Sequence, residues 1–235
     1  MRTLKIAETR EELYKMIVNK KGNSIEFEHS FRYVGSSPLR KCLDEGFYEL
    51  SYECEIGLEA AIDLNKSDGW SKNAKTKSGF RPYQFIPLYP LAFLRAAAIA
   101  VKANPGAASF VDCGSGYGDK PYLFGRLYRD ITPYGIEYNQ KYVRAARNRH
   151  NFTTIHGDIT TEDYSNYDII YAYNPMNDVN GMEAYFRRVH ETAKPSTICI
   201  FVNVATGGMA LNKINKEKPL FEMTNESKHV FRIIK

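Results

Sequence analysis

The sequence predicts a doubly wound α/β domain whose mostly parallel, seven-stranded sheet closes in a C-terminal antiparallel hairpin, with a mainly helical extension in front of it. Three observations predict this. From Ser109 onward, short apolar runs alternate with helix-compatible stretches, the pattern of a parallel sheet covered on both faces. The first of these runs opens directly into a turn with three glycines, Gly114, Gly116 and Gly118. The last two runs follow one another without a helix between them. The boundary falls at the start of an extended, proline- and aromatic-rich segment, so that residues 1–82 form the extension and 83–235 the domain.

In the extension, Thr9 and Glu12 make a capping box, and Leu13, Met16 and Ile17 fall on one helical face before Gly22. Ile25, Phe27, His29, Phe31 and Tyr33 alternate with polar residues, the period of a half-buried strand or extended arm. Ser37-Pro38 can open a second helix, and Ile56, Ala60, Ala61 and Leu64 mark a third. Residues 65–81 are polar around Trp70 and read as a loop. The extended segment from Pro82 to Pro90 then leads into a helix over Leu91 to Lys102, stopped by Asn104-Pro105-Gly106.

Strands are expected at Ser109 to Cys113, Tyr134 to Tyr138, Thr153 to His156, Asp168 to Ala172 and Thr197 to Val202. Helices are expected from near Pro121, over Gln140 to Arg149 and over Gly181 to Ala193. Pro219 to Met223 and His229 to Ile234 pair about a turn at Asn225-Glu226-Ser227.

Composition narrows the function. Cys42, Cys54, Cys113 and Cys199 form no CxxC pair, which argues against a disulfide framework or a zinc site, and Cys113 and Cys199 sit in strand-like runs as core residues. The N-terminus has no apolar stretch of the secretory kind, and the most apolar run, Pro90 to Val101, is short and carries Arg95. A reducing, cytoplasmic setting without membrane contact is expected. The net charge of +5 is spread along the chain and does not mark a nucleic-acid groove.

The chemistry concentrates at the predicted strand ends. Phe110 to Gly118 is a strand ending at Asp112 that feeds a turn whose glycines let a ligand lie against the main chain at a helix start. A second strand ends in Glu137, a carboxylate able to accept both hydroxyls of a ribose. A third closes on His156-Gly157-Asp158-Ile159, with an acid placed for an adenine amino group and an isoleucine beside the ring. The fourth ends in Tyr173-Asn174-Pro175-Met176. Lys120 is expected to face solvent, and Pro121 suits a first helical turn.

This ordered set resembles the class I, Rossmann-like S-adenosylmethionine-dependent methyltransferases, over about Tyr83 to Lys235. The resemblance implies that S-adenosylmethionine is the cofactor and S-adenosylhomocysteine the product. It implies a cofactor site of Asp112, Gly114, Ser115, Gly116, Gly118, Glu137, Tyr138, Asp158, Ile159 and Asn174, and an acceptor side built from Asn174, Tyr173 and Tyr83. No metal is implied. The chain is similar to the group with an aromatic-Asn-Pro segment after strand four, some members of which methylate protein lysines. The expected acceptor is a nitrogen of a protein lysine or a small-molecule amine. A nucleic-acid amino group of the N6-adenine type is an alternative, but Met176 and Asn177 stand where that motif has a second proline and an aromatic. A protein that binds the cofactor without transferring its methyl group is the other alternative.

Overall fold

The structure is a computed structural model that describes residues 75–82, 90–149, 152–202 and 206–235. The expected N-terminal helices and arm, Trp70 and Tyr83 lie outside the described residues. Helix α1 (Pro90–Ala103) precedes β1 (Ser109–Cys113), α2 (Asp119–Leu127), β2 (Thr132–Glu137), α3 (Gln140–Arg149), β3 (Thr153–His156), β4 (Ile169–Tyr173), α4 (Val179–Thr192), β5 (Ile198–Val202), α5 (Thr206–Glu217), β6 (Phe221–Thr224) and β7 (Ser227–Ile233). They build one seven-stranded sheet in the order β3-β2-β1-β4-β5-β7-β6. Strands β1 to β5 run parallel, and β7 pairs antiparallel with both β5 and β6. The direction of winding reverses between β1 and β4, so a crevice opens beyond the carboxyl ends of those two strands.

Two elements depart from expectation. Helix α2 begins at Asp119, directly after Gly118 and earlier than the start expected near Pro121, though Pro121 does sit within its first turn, as expected. Helix α5 was not expected from the sequence at all. Its Gly207-Gly208 pair weakens the local helical signal, yet Gly207, Ala210, Leu211 and Ile214 are buried along one face, and the last three pack into the second core. Tertiary packing supplies what propensity does not.

Alternation along the strands divides the core in two. Phe110, Ile169, Tyr171, Ile198, Ile200 and Val202 face α1 and α2, while Val111, Cys113, Ile170, Ala172, Cys199 and Phe201 face α4 and α5. On the first face Phe110 stacks on Phe124 at 4.0 Å between ring centroids, and Phe93 meets Tyr171 edge-on at 5.1 Å. On the second, Phe186 lies between Tyr185, Phe201 and Phe221. Burial pushes the Cys113 thiol up to about 12, so it behaves as a small apolar core residue, as expected.

The register that positions the crevice is pinned at the opposite, amino ends of β1 and β4. Asp168 accepts the backbone N–H groups of Ala108 and Ser109 at 2.9 and 3.1 Å and the Ser109 hydroxyl at 2.9 Å, and it pairs with Lys194 at 2.8 Å. This holds Phe110 opposite Ile169, and therefore Asp112 opposite Tyr171. No helix among the described residues is long and apolar enough to cross a membrane.

Phe186→Ala removes a fully buried ring from the second core. The expected loss, read from denaturant unfolding, is about 3–5 kcal/mol. A loss under about 1 kcal/mol would show that this face is not a close-packed core.

Candidate functional site

The glycine turn is held by its own backbone. Gly114 and Ser115 both donate their N–H to the carbonyl of Ile136 on β2, at 2.9 and 3.0 Å. Gly116 donates to the Glu137 carboxylate at 2.8 Å, and Gly118 donates to Ser115 at 2.9 Å. Gly118 caps α2 with φ +83°, and a Cβ there would lie 2.3 Å from the Phe152 ring, so any other residue would be strained in its backbone and would have to displace that ring. Gly114, at φ +82°, approaches Pro175 so closely that a Cβ would lie 2.8 Å from the proline Cβ. The glycine turn and the segment after β4 thus meet across the crevice.

The sequence suggests a turn that offers main-chain N–H groups to a ligand, and the structure corrects this. The N–H groups of Gly114, Ser115, Gly116 and Gly118 are all donated within the protein. The Ser115 side chain is fully buried against Gly135, whose Cβ would lie 2.6 Å from the serine hydroxyl, and that hydroxyl has no protein partner. What the turn presents outward is a rigid shape.

Beside it stand two buried carboxylates. Asp112 is 1% exposed, and its Oδ2 has no hydrogen-bond partner. Burial pushes its pKa up to about 7; nearby Lys120 opposes the rise, and Glu137 and Asp119 add to it. Lys120 was expected to face solvent. It is buried instead, within electrostatic reach of both Asp112 and Glu137. In Glu137 one carboxylate oxygen accepts from Gly116 and the other from Asn139, at 2.8 and 2.7 Å, which leaves acceptor capacity on each. Burial still raises its pKa against the pull of those N–H donors. Tyr138, half-buried next in the chain, gives its carbonyl to the His156 ring at 2.9 Å.

After β3, Asp158 is 6% exposed and takes donors on both oxygens. Oδ1 accepts the N–H and hydroxyl of Thr160 at 3.0 and 2.8 Å; Oδ2 accepts the N–H and hydroxyl of Ser78 at 3.3 and 2.8 Å. Burial pushes this carboxyl up, but the donors outweigh burial and hold it below the usual aspartate value. Ile159, expected beside a ring, packs into the second core, and its carbonyl accepts from the Tyr164 hydroxyl at 2.7 Å.

After β4, Asn174 takes the left-handed conformation, φ 39°, and is 1% exposed. Its side-chain oxygen accepts the N–H of Gly207 in the first turn of α5, at 2.9 Å. One acceptor position of the carbonyl expected to orient a methyl acceptor is therefore taken within the fold, because an N–H can be met only by the oxygen of the amide. Tyr173 is half-buried against the first core, Met176 is buried and Asn177 is exposed.

The strand ends thus gather Asp112, the glycine turn, Glu137, Asp158 and Asn174 around one crevice. The sequence reading missed Thr160, Ser78 and Gly207, and it placed Lys120 towards solvent. The spacing of Asp158 and Thr160 signals a side-chain turn, but Ser78 is 80 residues from its partner and leaves no local mark. Among the described residues no three His, Cys, Asp or Glu side chains form a group that could hold a metal ion.

Because folding raises the pKa of Asp112, the native state holds its proton more tightly than the unfolded chain. Its contribution to stability is then greatest below about pH 4 and is lost as pH rises towards about 7. Asp112→Asn is expected to stabilise the ligand-free protein at pH 8, on the order of 2 kcal/mol, with no such gain at pH 4. Thermal unfolding at the two pH values measures this; an equal effect at both would mean the carboxyl is not perturbed by burial.

No protein-family model and no curated protein matches the chain. Solved structures do. An amino pentose methyltransferase from Micromonospora echinaspora with bound SAM is similar at 20% identity and a TM-score of 0.42, over 51% of this chain and 57% of that one. A sugar N-methyltransferase from Streptoalloteichus is similar at 14% identity and a TM-score of 0.40, over 51% and 55%. The plantazolicin methyltransferase BpumL with SAH gives 11% identity and a TM-score of 0.43, over 57% and 71%. The chain spans little more than half the length of the first two. At these identities the likeness concerns the fold alone, and the strand order above establishes the fold without it.

Proposed function

We propose that the protein binds S-adenosylmethionine in this crevice and transfers its methyl group to a nitrogen of a protein lysine or a small-molecule amine. One observation carries the cofactor reading: the N–H groups of four turn residues are committed within the protein, while two buried carboxylates stand beside the turn. A dinucleotide pyrophosphate needs free N–H donors at such a turn and is repelled by buried acids. A ligand carrying a cationic amino-acid group and a ribose suits the same arrangement. The unpartnered Oδ2 of Asp112 would accept from the ammonium, and the remaining acceptor capacity of Glu137 would take the ribose hydroxyls.

When bound, this cofactor supplies an electrophilic methyl group and its own leaving group. The residues of the chain then have to align, desolvate and exclude water. Pro175 against Gly114 narrows the crevice where the turn meets the segment after β4, and Tyr173 walls it on the α1 side. A neutral amine attacks with its own lone pair and needs only positioning and loss of a proton, which favours nitrogen at a site walled by Tyr173, Asn174 and Pro175. A planar nucleobase amine is disfavoured. It would have to share the Asn174 oxygen with Gly207, and it needs a stacking aromatic where Asn177 stands.

Incubation with methyl-labelled cofactor and cell lysate tests the transfer. Label in protein or in small molecules is expected; label in nucleic acid would replace the acceptor class, and tight binding with no label in any fraction would replace transfer by binding alone. Glu137→Ala is expected to weaken S-adenosylhomocysteine binding by about 1–3 kcal/mol in calorimetry. Unchanged affinity would remove Glu137 from the site.

A further inference from the structure

Residues 75–82 form a strap across the carboxyl end of the sheet. A turn closed by Thr76 N–H to Phe80 O at 2.8 Å and Gly79 N–H to Thr76 O at 2.9 Å presents Ser78 to Asp158. Further along, Pro82 bridges to Met176, and Asn177 donates its N–H to Arg81 O at 2.9 Å. Phe80 packs into the second core, close against Gly181. The strap therefore joins the acid after β3 to the segment after β4.

An ionised carboxylate has about four acceptor positions. On Asp158 all four are filled, two by Thr160 and two by Ser78. An adenine 6-amino group has only N–H to offer an acceptor there, so it can bond Asp158 only if a donor already present leaves. Thr160 is fixed two residues from Asp158 with both its N–H and its hydroxyl engaged. Ser78 is exposed and its N–H contact is the longest of the four, 3.3 Å. The two hydroxyl oxygens also lie 3.0 Å apart. Thr160 is placed to donate to Ser78 as well as to the carboxylate, so the two hydroxyls and Asp158 form one network, and Ser78, its exposed and least tightly held member, is the donor that yields.

We propose that Ser78 determines the affinity of the cofactor site: its hydroxyl occupies the Asp158 acceptor that the adenine amino group requires, and binding of the cofactor displaces it. This rests on the reading of the chain as an S-adenosylmethionine-binding protein. The strap thus sets a threshold for occupancy from outside the strands that carry the site, and it does so only for ligands that carry the amino group.

Calorimetry with S-adenosylhomocysteine and with its analogue lacking the 6-amino group tests this on the full chain. Ser78→Ala is expected to tighten S-adenosylhomocysteine binding about three- to tenfold, the scale of one hydrogen bond from an exposed hydroxyl, and to leave the analogue unchanged. Ser78→Thr, which restores a hydroxyl, returns affinity towards that of the parent. Weaker or unchanged binding of S-adenosylhomocysteine in Ser78→Ala, an equal gain for both ligands, or a Ser78→Thr as tight as Ser78→Ala would overturn the proposal. Asp158→Asn separates the two levels of the reading. If the parent prefers the amino-bearing ligand and Asp158→Asn abolishes the preference, adenine lies on Asp158 and the Ser78 results decide alone. If the preference survives Asp158→Asn, adenine is not read there and the proposal falls with that placement.

Discussion

The arrangement at the crevice depends on how Ile136 and Glu137 hold the glycine turn. The Ile136 carbonyl takes two N–H groups from the turn and the Glu137 carboxylate takes a third, so the end of β2 fixes the path of the chain leaving β1. Without those bonds three glycines in five residues would sample many conformations, and ordering them on ligand binding would cost free energy. With them the turn is preorganised. The same bonds, with that from Gly118 to Ser115, withdraw four of its N–H groups from any ligand.

Charge follows from this. Asp112 and Glu137 are buried beside the turn, and Lys120 opposes the rise in both their pKa values. Asp112 keeps an oxygen with no protein donor, and burial lifts its pKa to about 7. Such a group destabilises the ligand-free fold at neutral pH and gains most from a cation that arrives with its own donors. Asp158 is the opposite case. Its donors from Thr160 and Ser78 hold its pKa below the usual range, so it stays ionised, and its acceptor positions are already taken. Two strand-end aspartates that look equivalent in the sequence thus differ in what a ligand can do with them.

Much of the fold was legible because period and punctuation agree with burial. Gln140 to Arg149 and Thr153 to His156 are the observed bounds of α3 and β3, and the helix predicted to end before Asn104 ends at Ala103. The paired C-terminal runs form β6 and β7, since nothing between them can make a helix. Helix α5 was not legible, because its glycines mask a face that only the sheet completes. Lys120 was misread for a related reason: a lysine beside acids in sequence reads as solvated, and only the packing of α2 buries it.

The sequence alone determined that Asp112, the glycines, Glu137, Asp158 and Asn174 stand at successive strand ends, because alternation of strands and helices dictates where each loop must lie. It could not determine which of their atoms remain available. That depends on partners distant in sequence: Gly207 for the Asn174 oxygen, Ile136 for the turn, Ser78 for Asp158. A polar group forms its bonds with whatever the fold brings within about 3 Å, and only the tertiary structure decides what that is.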